Sequence, residues 1–521
     1  MKPRGQLWDL RAGGVITLLF LYLPGGLGAE WPQYRGPSYN GTSTDRIIKQ
    51  WSGSVTNPVW LTRVANCLGS LTVSGGRVFT QTRRAVSGAD KEVCVALGVT
   101  QGTELWATPV DDASYPQGGV GYDDGPRSTP VADGGSVFVL SSYHKLWRLN
   151  ATNGAVIWQK DLLRLYGGAV IKWQSAASPL VEEGLIYVNA NCGTSTLMAL
   201  RASDGEPAWR SRNEAMTHST PVLATIHGVR QVIFATQSGL VSLDPQSGEL
   251  LWGIGYPFFY DTAIGVSPVV FEDMVFVCGA HAYGMGAMAV QVDLTDNLWT
   301  ARRLWSTNNP TCHWMTPVAH QGFLYGPFGI QQFDSPSAPL KCIDMRTGAV
   351  RWSTNNFGRG ATILVDDHLL SLTERGELVL SRPDPNAYTE VARFLAIPAY
   401  HSYSNKCWNT FAVSDGRVYV RSTAYVACFD LSMPDLRLDP AFVPAIGGTL
   451  QLTIRTGNGT PLDSNRLAGM EVLTTTSIER ALPQWFRLTN RLVLTDGVVR
   501  IDNVDAATQP QRFFIVSEPE Q

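Results

Sequence analysis

The stretch Val241–Trp252 reads VSLDPQSGELLW. An apolar strand ends in an aspartate, a turn centred on Gly248 reverses the chain, and a second short strand closes on a tryptophan. The same unit recurs with Gly102 and Trp106 in ALGVTQGTELW, Gly154 and Trp158 in RLNATNGAVIW, Gly205 and Trp209 in ALRASDGEPAW, and Gly348 and Trp352 in CIDMRTGAVRW. In every copy the glycine stands four residues before the tryptophan. QVDLTDNLWTARRLW is a weaker copy that lacks the glycine and ends on Trp305. Self-similarity at roughly 42–53 residues marks a propeller or solenoid.

The unit predicts a hairpin joining the two outer strands of a blade. Glycine supplies the positive φ of the tight turn. The tryptophan is expected to lie flat between neighbouring blades, burying about 150–250 Å². Trp60, Trp106, Trp158, Trp209, Trp252, Trp305 and Trp352 are therefore read as blade-docking residues rather than cofactor contacts.

Eight blade-like segments follow one another. Each opens on a short inner strand, often written Ser/Thr-Pro-Val, and continues after a Gly/Asp/Glu turn into an alternating apolar strand. They begin at SLTVSGGRVFTQT, STPVADGGSVFVLSS, ASPLVEEGLIYVNA, STPVLATIHGVRQVIFAT, VSPVVFEDMVFVCG, MTPVAHQGFLYG, ATILVDDHLLSLTERGELVLSR and TFAVSDGRVYVRSTAYVACFDL. The seventh ends on Phe394, and the eighth stops at Leu431 without an outer strand. A propeller has to close, because open sheet edges invite aggregation. Pro58–Val64 carries Trp60 but has no blade of its own, so it is expected to complete blade eight.

After Asp435 the repeat ends. Runs such as GTLQLTIRT, RLVLTDGVVRID and QRFFIVSE suit a small antiparallel sandwich of immunoglobulin-like type. Lys2, Arg4 and Arg11, the apolar run Val15–Leu23 and the small residues up to Ala29 have the order of a signal peptide cleaved after Gly28 or Ala29. The apolar run is short for a bilayer span. The expected fold is thus all-β: signal peptide 1–29, eight-bladed β-propeller 30–431, and β-sandwich 432–521. The protein is expected to be a secreted or periplasmic monomer with no membrane span.

Net charge is −3 and 16% of residues are charged, against about 25% in an average protein. No basic cluster exists to neutralise phosphates, which argues against nucleic acid as a partner. The eight cysteines permit disulfides in an exported protein. Cys67, Cys312 and Cys407 precede inner strands, while Cys94, Cys342 and Cys428 lie on third strands of the same blades, predicting Cys67–Cys94, Cys312–Cys342 and Cys407–Cys428. Cys192 and Cys278 are left unpaired. No CxxC, HxH or HExxH spacing indicates a metal site.

The loops entering the inner strands share one mouth of the channel with the turns between second and third strands. They bring Asp123, Asp124, Arg127, Lys172, Trp173, His218, Phe259, Tyr260, Asp261, His313, Trp314, Arg359, His401, Lys406 and Trp408 to one rim. The ligand-binding candidates are Arg127, Trp173, His218, Asp261, His313, Trp314, Arg359, Lys406 and Trp408. Convergent polar groups in an aromatic concavity suit a ligand site, although any loop-built surface gathers such residues.

DPQSGELLW, STPVADG and SPLVEEG resemble the repeats of the pyrroloquinoline quinone-like (PQQ-like) propeller superfamily, over roughly residues 31–431. That superfamily includes quinoprotein alcohol dehydrogenases and the propeller lipoprotein of outer-membrane barrel assembly. The chain is also similar to secreted bacterial propellers that open with a WPQYRGP-like segment and end on a KCWNTFAVSDGRVYVR-like blade. The QRFFIV segment resembles small β modules appended to such proteins. The dehydrogenases place adjacent cysteines and a calcium-holding glutamate, asparagine and aspartate at the quinone. This chain has no Cys-Cys, no haem-attachment CxxCH and no acylated cysteine, and the calcium trio has no matching positions. Fold transfers and function does not. The leading expectation is a non-catalytic propeller, without cofactor, binding a protein, peptide or glycan on its loop-rich face. The alternative is a PQQ- and calcium-dependent dehydrogenase of alcohols or sugars, and a third reading is a structural envelope component.

Overall fold

The repeat takes the form of four-stranded antiparallel sheets, each built mainly from strands consecutive in the chain. The computed structural model describes residues 30–521 except 116–123, 258–263, 280–284, 310, 330–337, 398–405, 444–448, 458, 460, 463, 477–483, 506–512 and 518–521; before residue 30 it describes 9–10 and 16–17. The chain divides into two compact units, Ala29–Ser432 and Met433–Gln521 with Met1–Gly28.

Among the described residues, the larger unit holds eight sheets of this kind, the seventh extended to five strands by the parallel strand Thr42–Ser43. Sheet one comprises Thr72–Ser74, Arg77–Val86, Ala89–Gly98 and Glu104–Asp112. Sheets two to seven open on Val131–Asp133, Leu180–Glu182, Val222–Ile226, Val269–Phe271, Val318–His320 and Ala361–Val365. They close on Val156–Asp161, Pro207–Ser211, Leu250–Gly255, Leu298–Thr307, Val350–Thr354 and Glu390–Leu395. Sheet eight holds Ala412–Ser414, Arg417–Arg421 and Tyr425–Asp430, and its fourth strand is Trp60–Arg63. There Trp60 stands opposite Cys428 and Arg63 opposite Tyr425. The two ends of this unit's chain are fastened inside one sheet.

The glycine–tryptophan spacing has a direct structural meaning. Five of the tryptophans lie over the glycine turn of the next sheet and donate the Nε1 proton to a carbonyl there, and Trp352 donates likewise to Asp384 O at 2.8 Å in a turn that has no glycine. Trp60 bonds Val99 O at 2.9 Å, Trp106 bonds Ala151 O at 3.0 Å, Trp158 bonds Ala202 O at 3.1 Å, Trp209 bonds Pro245 O at 2.8 Å and Trp305 bonds Met345 O at 2.8 Å. Trp252 departs from the rule. The next sheet's long hairpin has lost the glycine, and Trp252 donates instead to Gln231 Oε1 of its own sheet at 2.7 Å.

The Ser/Thr-Pro-Val motif also acquires a cause. Ser70 N donates to Thr129 Oγ1, Thr129 N to Ser178 Oγ and Ser178 N to Thr220 Oγ1, all at 2.9 Å; Ser267 N donates to Thr316 Oγ1 at 3.1 Å. Each buried hydroxyl thus satisfies an amide of the preceding sheet, where water does not reach.

The segment after Glu30 has no periodicity, yet it laces the inner strands together. Trp31 pairs with Val73 in both directions and Pro32 O accepts from Ala132 N. Tyr39 Oη donates to Val181 O, and the buried Arg35 guanidinium donates to Thr316 O and Pro317 O at 3.0 and 2.9 Å. Thr42–Ser43 pairs in parallel with Leu364 and Val365, and Asp45 accepts from Gly416 N. The segment therefore reaches sheets one, two, three, six, seven and eight. Most of these contacts lie where first strands turn into second strands, away from the entering loops.

The expected disulfides Cys67–Cys94, Cys312–Cys342 and Cys407–Cys428 are not formed; all eight cysteines are buried free thiols. Cys342 and Cys428 stand opposite Trp352 and Trp60 in register. Alanines 96, 199 and 289 take that position opposite their own tryptophans. Ser242 stands there opposite Trp252 and Arg148 opposite Trp158, so the position holds a small side chain in most sheets and none of them needs a partner thiol. The Cys67 thiol donates to Pro126 O at 3.1 Å, and Cys312 faces Cys278 instead of Cys342.

The smaller unit contains one sheet of Leu436–Val443, Thr449–Thr456, Val498–Asp505 and Val493–Thr495, and another of Phe486–Arg487, Glu471–Thr475 and Phe513–Ser517. Leu438, Leu450, Leu452, Ile454, Val472, Ile501 and Phe514 form its core. Among the described residues no helix is long and apolar enough to cross a membrane.

Candidate ligand-binding mouth

The entering loops of sheets six, seven, eight and two meet around Trp408. Its ring centroid is 4.9 Å from that of Trp314, and Arg359 Cζ and Lys406 Nζ lie 5.1 and 5.0 Å from it. These are cation–π distances. Trp408 Nε1 donates to Glu374 Oε1 at 2.9 Å, while Glu374 Oε2 accepts from Arg359 N at 3.1 Å. Arg359 Nη1 is 3.6 Å from Glu374 Oε1. Gly358 is required beside this carboxylate: its φ is +65°, and a Cβ there would lie 2.3 Å from Glu374 Oε2. Lys406 Nζ donates to Asp124 Oδ1 at 2.6 Å, with both side chains under a tenth exposed. The His313 ring lies 4.2 Å from that of Trp314, tilted by 42°.

A second group stands on the entering loops of sheets two to four. Arg127 Nη1 donates to Trp173 O at 2.7 Å, Trp173 lies 6.2 Å from His218 with planes 27° apart, and Lys172 Nζ is 4.6 Å from the Trp173 ring. The structure thus brings His313, Trp314, Arg359, Lys406 and Trp408 together, and separately Arg127, Trp173 and His218. Asp261, with Asp123, Phe259, Tyr260 and His401, lies outside the described residues. Sequence reasoning missed Glu374, which sits in the turn between the second and third strands of sheet seven. That class of turn faces the same mouth, so the TERGE sequence there was the available signal.

Residues 89–354, just over half of the chain, match the PQQ_2 family model, described as outer membrane protein assembly factor BamB. The chain belongs to this family. BamB of Yersinia pestis is 24% identical over 253 residues, covering 44% of this chain and 58% of that protein. BamB of Moranella endobia (strain PCIT) is 23% identical over 274 residues, covering 50% and 65%. The chain therefore spans less than two thirds of the length of these relatives. The quinohemoprotein alcohol dehydrogenase of Comamonas testosteroni superposes with a TM-score of 0.52 at 13% identity, covering 80% of this chain and 84% of that one. That likeness is one of fold.

The fold relatives raise the question of a calcium-bound quinone. At the mouth, Asp124 is committed to Lys406, and Glu374 to Trp408 and Arg359. Among the described residues no three carboxylate, histidine or cysteine side chains form a metal-holding group. Those residues do not fit the calcium site, and no reaction step is derived through the quinone.

Proposed function

We propose that this chain is an exported, non-catalytic propeller of eight blades that binds a protein or peptide partner at the mouth around Trp314 and Trp408. The single observation that carries the reading is the self-neutralised aromatic cluster. Among the described residues its carboxylates and cations are paired with each other and its two indoles lie in contact, which gives a preorganised stacking surface. Rigid aromatic anchors lose little conformational entropy on association. The relatives named as assembly factors support a partner that is itself an exported protein, and a glycan would use the same indole faces. Closure by Trp60–Arg63 supports the count of eight blades and a monomer. The smaller unit is read as an immunoglobulin-like accessory module.

The second reading, a quinoprotein dehydrogenase, is favoured only by the likeness of fold. Titration with PQQ and calcium, followed by indole fluorescence and by dye reduction with alcohols and aldoses, discriminates the two. No quenching and no reduction are expected, and substrate-dependent reduction would overturn the non-catalytic reading. For binding, extended synthetic peptides with alternating aromatic residues, patterned on outer-membrane strands, are expected to quench indole fluorescence. Trp314→Ala is expected to weaken that binding at least tenfold; unchanged affinity would remove the site.

A further inference from the structure

Cys278 ends the second strand of sheet five, Met274–Cys278, and Cys312 lies in the segment that enters sheet six, 34 residues on. Both are fully buried in one apolar cluster with Phe276, Met315 and Phe328. Their approach is intimate. Cys312 N donates to Cys278 Sγ at 2.8 Å, and the Cys278 thiol donates to Cys312 O at 3.4 Å. Other thiols have different neighbours: Cys67 has Pro126 and Gly69, Cys342 has Tyr325, and Cys428 has Tyr419.

We propose that Cys278 and Cys312 are a covalent modification site, joined as a disulfide between sheets five and six when the protein matures in an oxidising compartment. Each thiol gives up its proton and the sulfurs form one bond. The two electrons pass to the disulfide of an exchange partner, which leaves as a dithiol. Burial raises the Cys312 thiol well above its ordinary value, so exchange has to take place during folding, while a thiolate can still form. The bond has a consequence for the mouth. Cys312 directly precedes His313 and Trp314, and Thr311 O is already tied to Gly329 N at 2.9 Å. Crosslinking would fix that loop and preorganise the Trp314 face before a ligand arrives.

This inference uses the export part of the proposed function and is independent of what the mouth binds. The test is to fold the chain in a glutathione redox buffer, alkylate it under denaturing conditions without reductant, and map the peptides by mass spectrometry. The expected result is one crosslinked peptide pair containing Cys278 and Cys312, two hydrogens lighter than the thiols, with the other six cysteines alkylated. Eight alkylated cysteines, or any other linkage, would overturn the proposal. Because mapping is done on the natural chain, it does not depend on a variant folding. In Cys278→Ser the pair must vanish and Cys312 become alkylated; a crosslink of Cys312 to another cysteine would also count against it. Peptide binding at the mouth, measured separately with and without reductant, keeps failure of the bond distinct from failure of the binding site.

Discussion

A Cβ placed on Gly102 would lie 2.3 Å from Cε3 of Trp60, closer than any real side chain approaches. Trp60 comes from the strand that completes sheet eight, and Gly102 from the outer turn of sheet one. The contact is the junction at which the two ends of the repeat array meet. Gly102 also has φ +66°, so Gly102→Ala combines backbone strain with displacement of the indole. Gly75 supplies the control, since its φ is +56° and nothing lies within 4 Å of its added Cβ. Gly75→Ala is expected to cost about 1 kcal/mol, and Gly102→Ala about 3 kcal/mol or more. Trp60→Ala should cost about 3–5 kcal/mol. Urea denaturation of the three variants checks the ordering, and equal costs for the two glycines would disprove the lock.

The hydroxyl ladder makes a separate prediction. Ser178→Ala removes the acceptor of the Thr129 amide, which is buried beside it. An orphaned buried amide costs about 1–3 kcal/mol. Thr129, Thr220 and Thr316 fill the same place in other sheets, so Ser178→Thr should keep the bond and lose less. Hydrogen exchange at the Thr129 amide should accelerate in the alanine variant and stay slow in the threonine variant.

These two contacts explain what could be read from sequence. Gly248 and Trp252 share a fixed spacing because one hairpin presents both to its neighbouring sheets, and Pro58–Val64 stood out because sheet eight was one strand short. Arg35 gave no such signal: its partners are carbonyls of Thr316 and Pro317, about 280 residues away, and a bond to backbone leaves no mark on the partner's residue type. The cysteine pairing failed for a related reason. Cys342 and Cys428 recur at matching places opposite tryptophans, where a small residue stands in every case but Arg148 opposite Trp158, and that recurrence imitates a disulfide framework. The mouth was legible as a set of loops, while its internal pairing through Glu374 depended on a turn whose geometry the sequence did not disclose.

Two buried titratable groups give opposite pH dependences. Burial pushes Glu92 up to about 7 from 4.5, despite hydrogen bonds from Ser142 N and Tyr115 Oη, and Asp111 adds to the rise. Its contribution to stability is complete below about 4.5 and is lost as pH rises through about 7. Burial pushes His144 down to about 4 from 6.5, and neither of its ring nitrogens has a hydrogen-bond partner among the described residues. Its contribution is complete above 6.5 and is lost as pH falls through about 4. Each is worth on the order of 2–3 kcal/mol across its window. Between them the two slopes largely cancel in the natural chain. His144→Asn, which suits the residue's φ of +64°, should leave a protein that loses stability as pH rises from 4.5 to 7. Glu92→Gln should leave one that loses stability as pH falls from 6.5 to 4. Denaturation midpoints measured from pH 4 to 8 decide this, and parallel profiles for the two variants would refute it.

Lys406 and Asp124 form a buried ion pair at the mouth, joining the loops that enter sheets eight and two. Lys406→Met takes the cation away from the Asp124 carboxylate in a poorly solvated site, and breaking a buried pair in this way costs about 3–5 kcal/mol. Asp124→Asn alone strands the ammonium, although Trp408 still stabilises it through its ring at 5.0 Å. The single variants should therefore differ, with Lys406→Met the worse. The double variant Lys406→Met with Asp124→Asn should recover part of the loss, because no charge remains to be desolvated. A double-mutant cycle by urea denaturation measures the coupling directly. Strict additivity would mean that the pair is screened by water, and the mouth would then be a wetter and looser surface than the stacking site proposed for it.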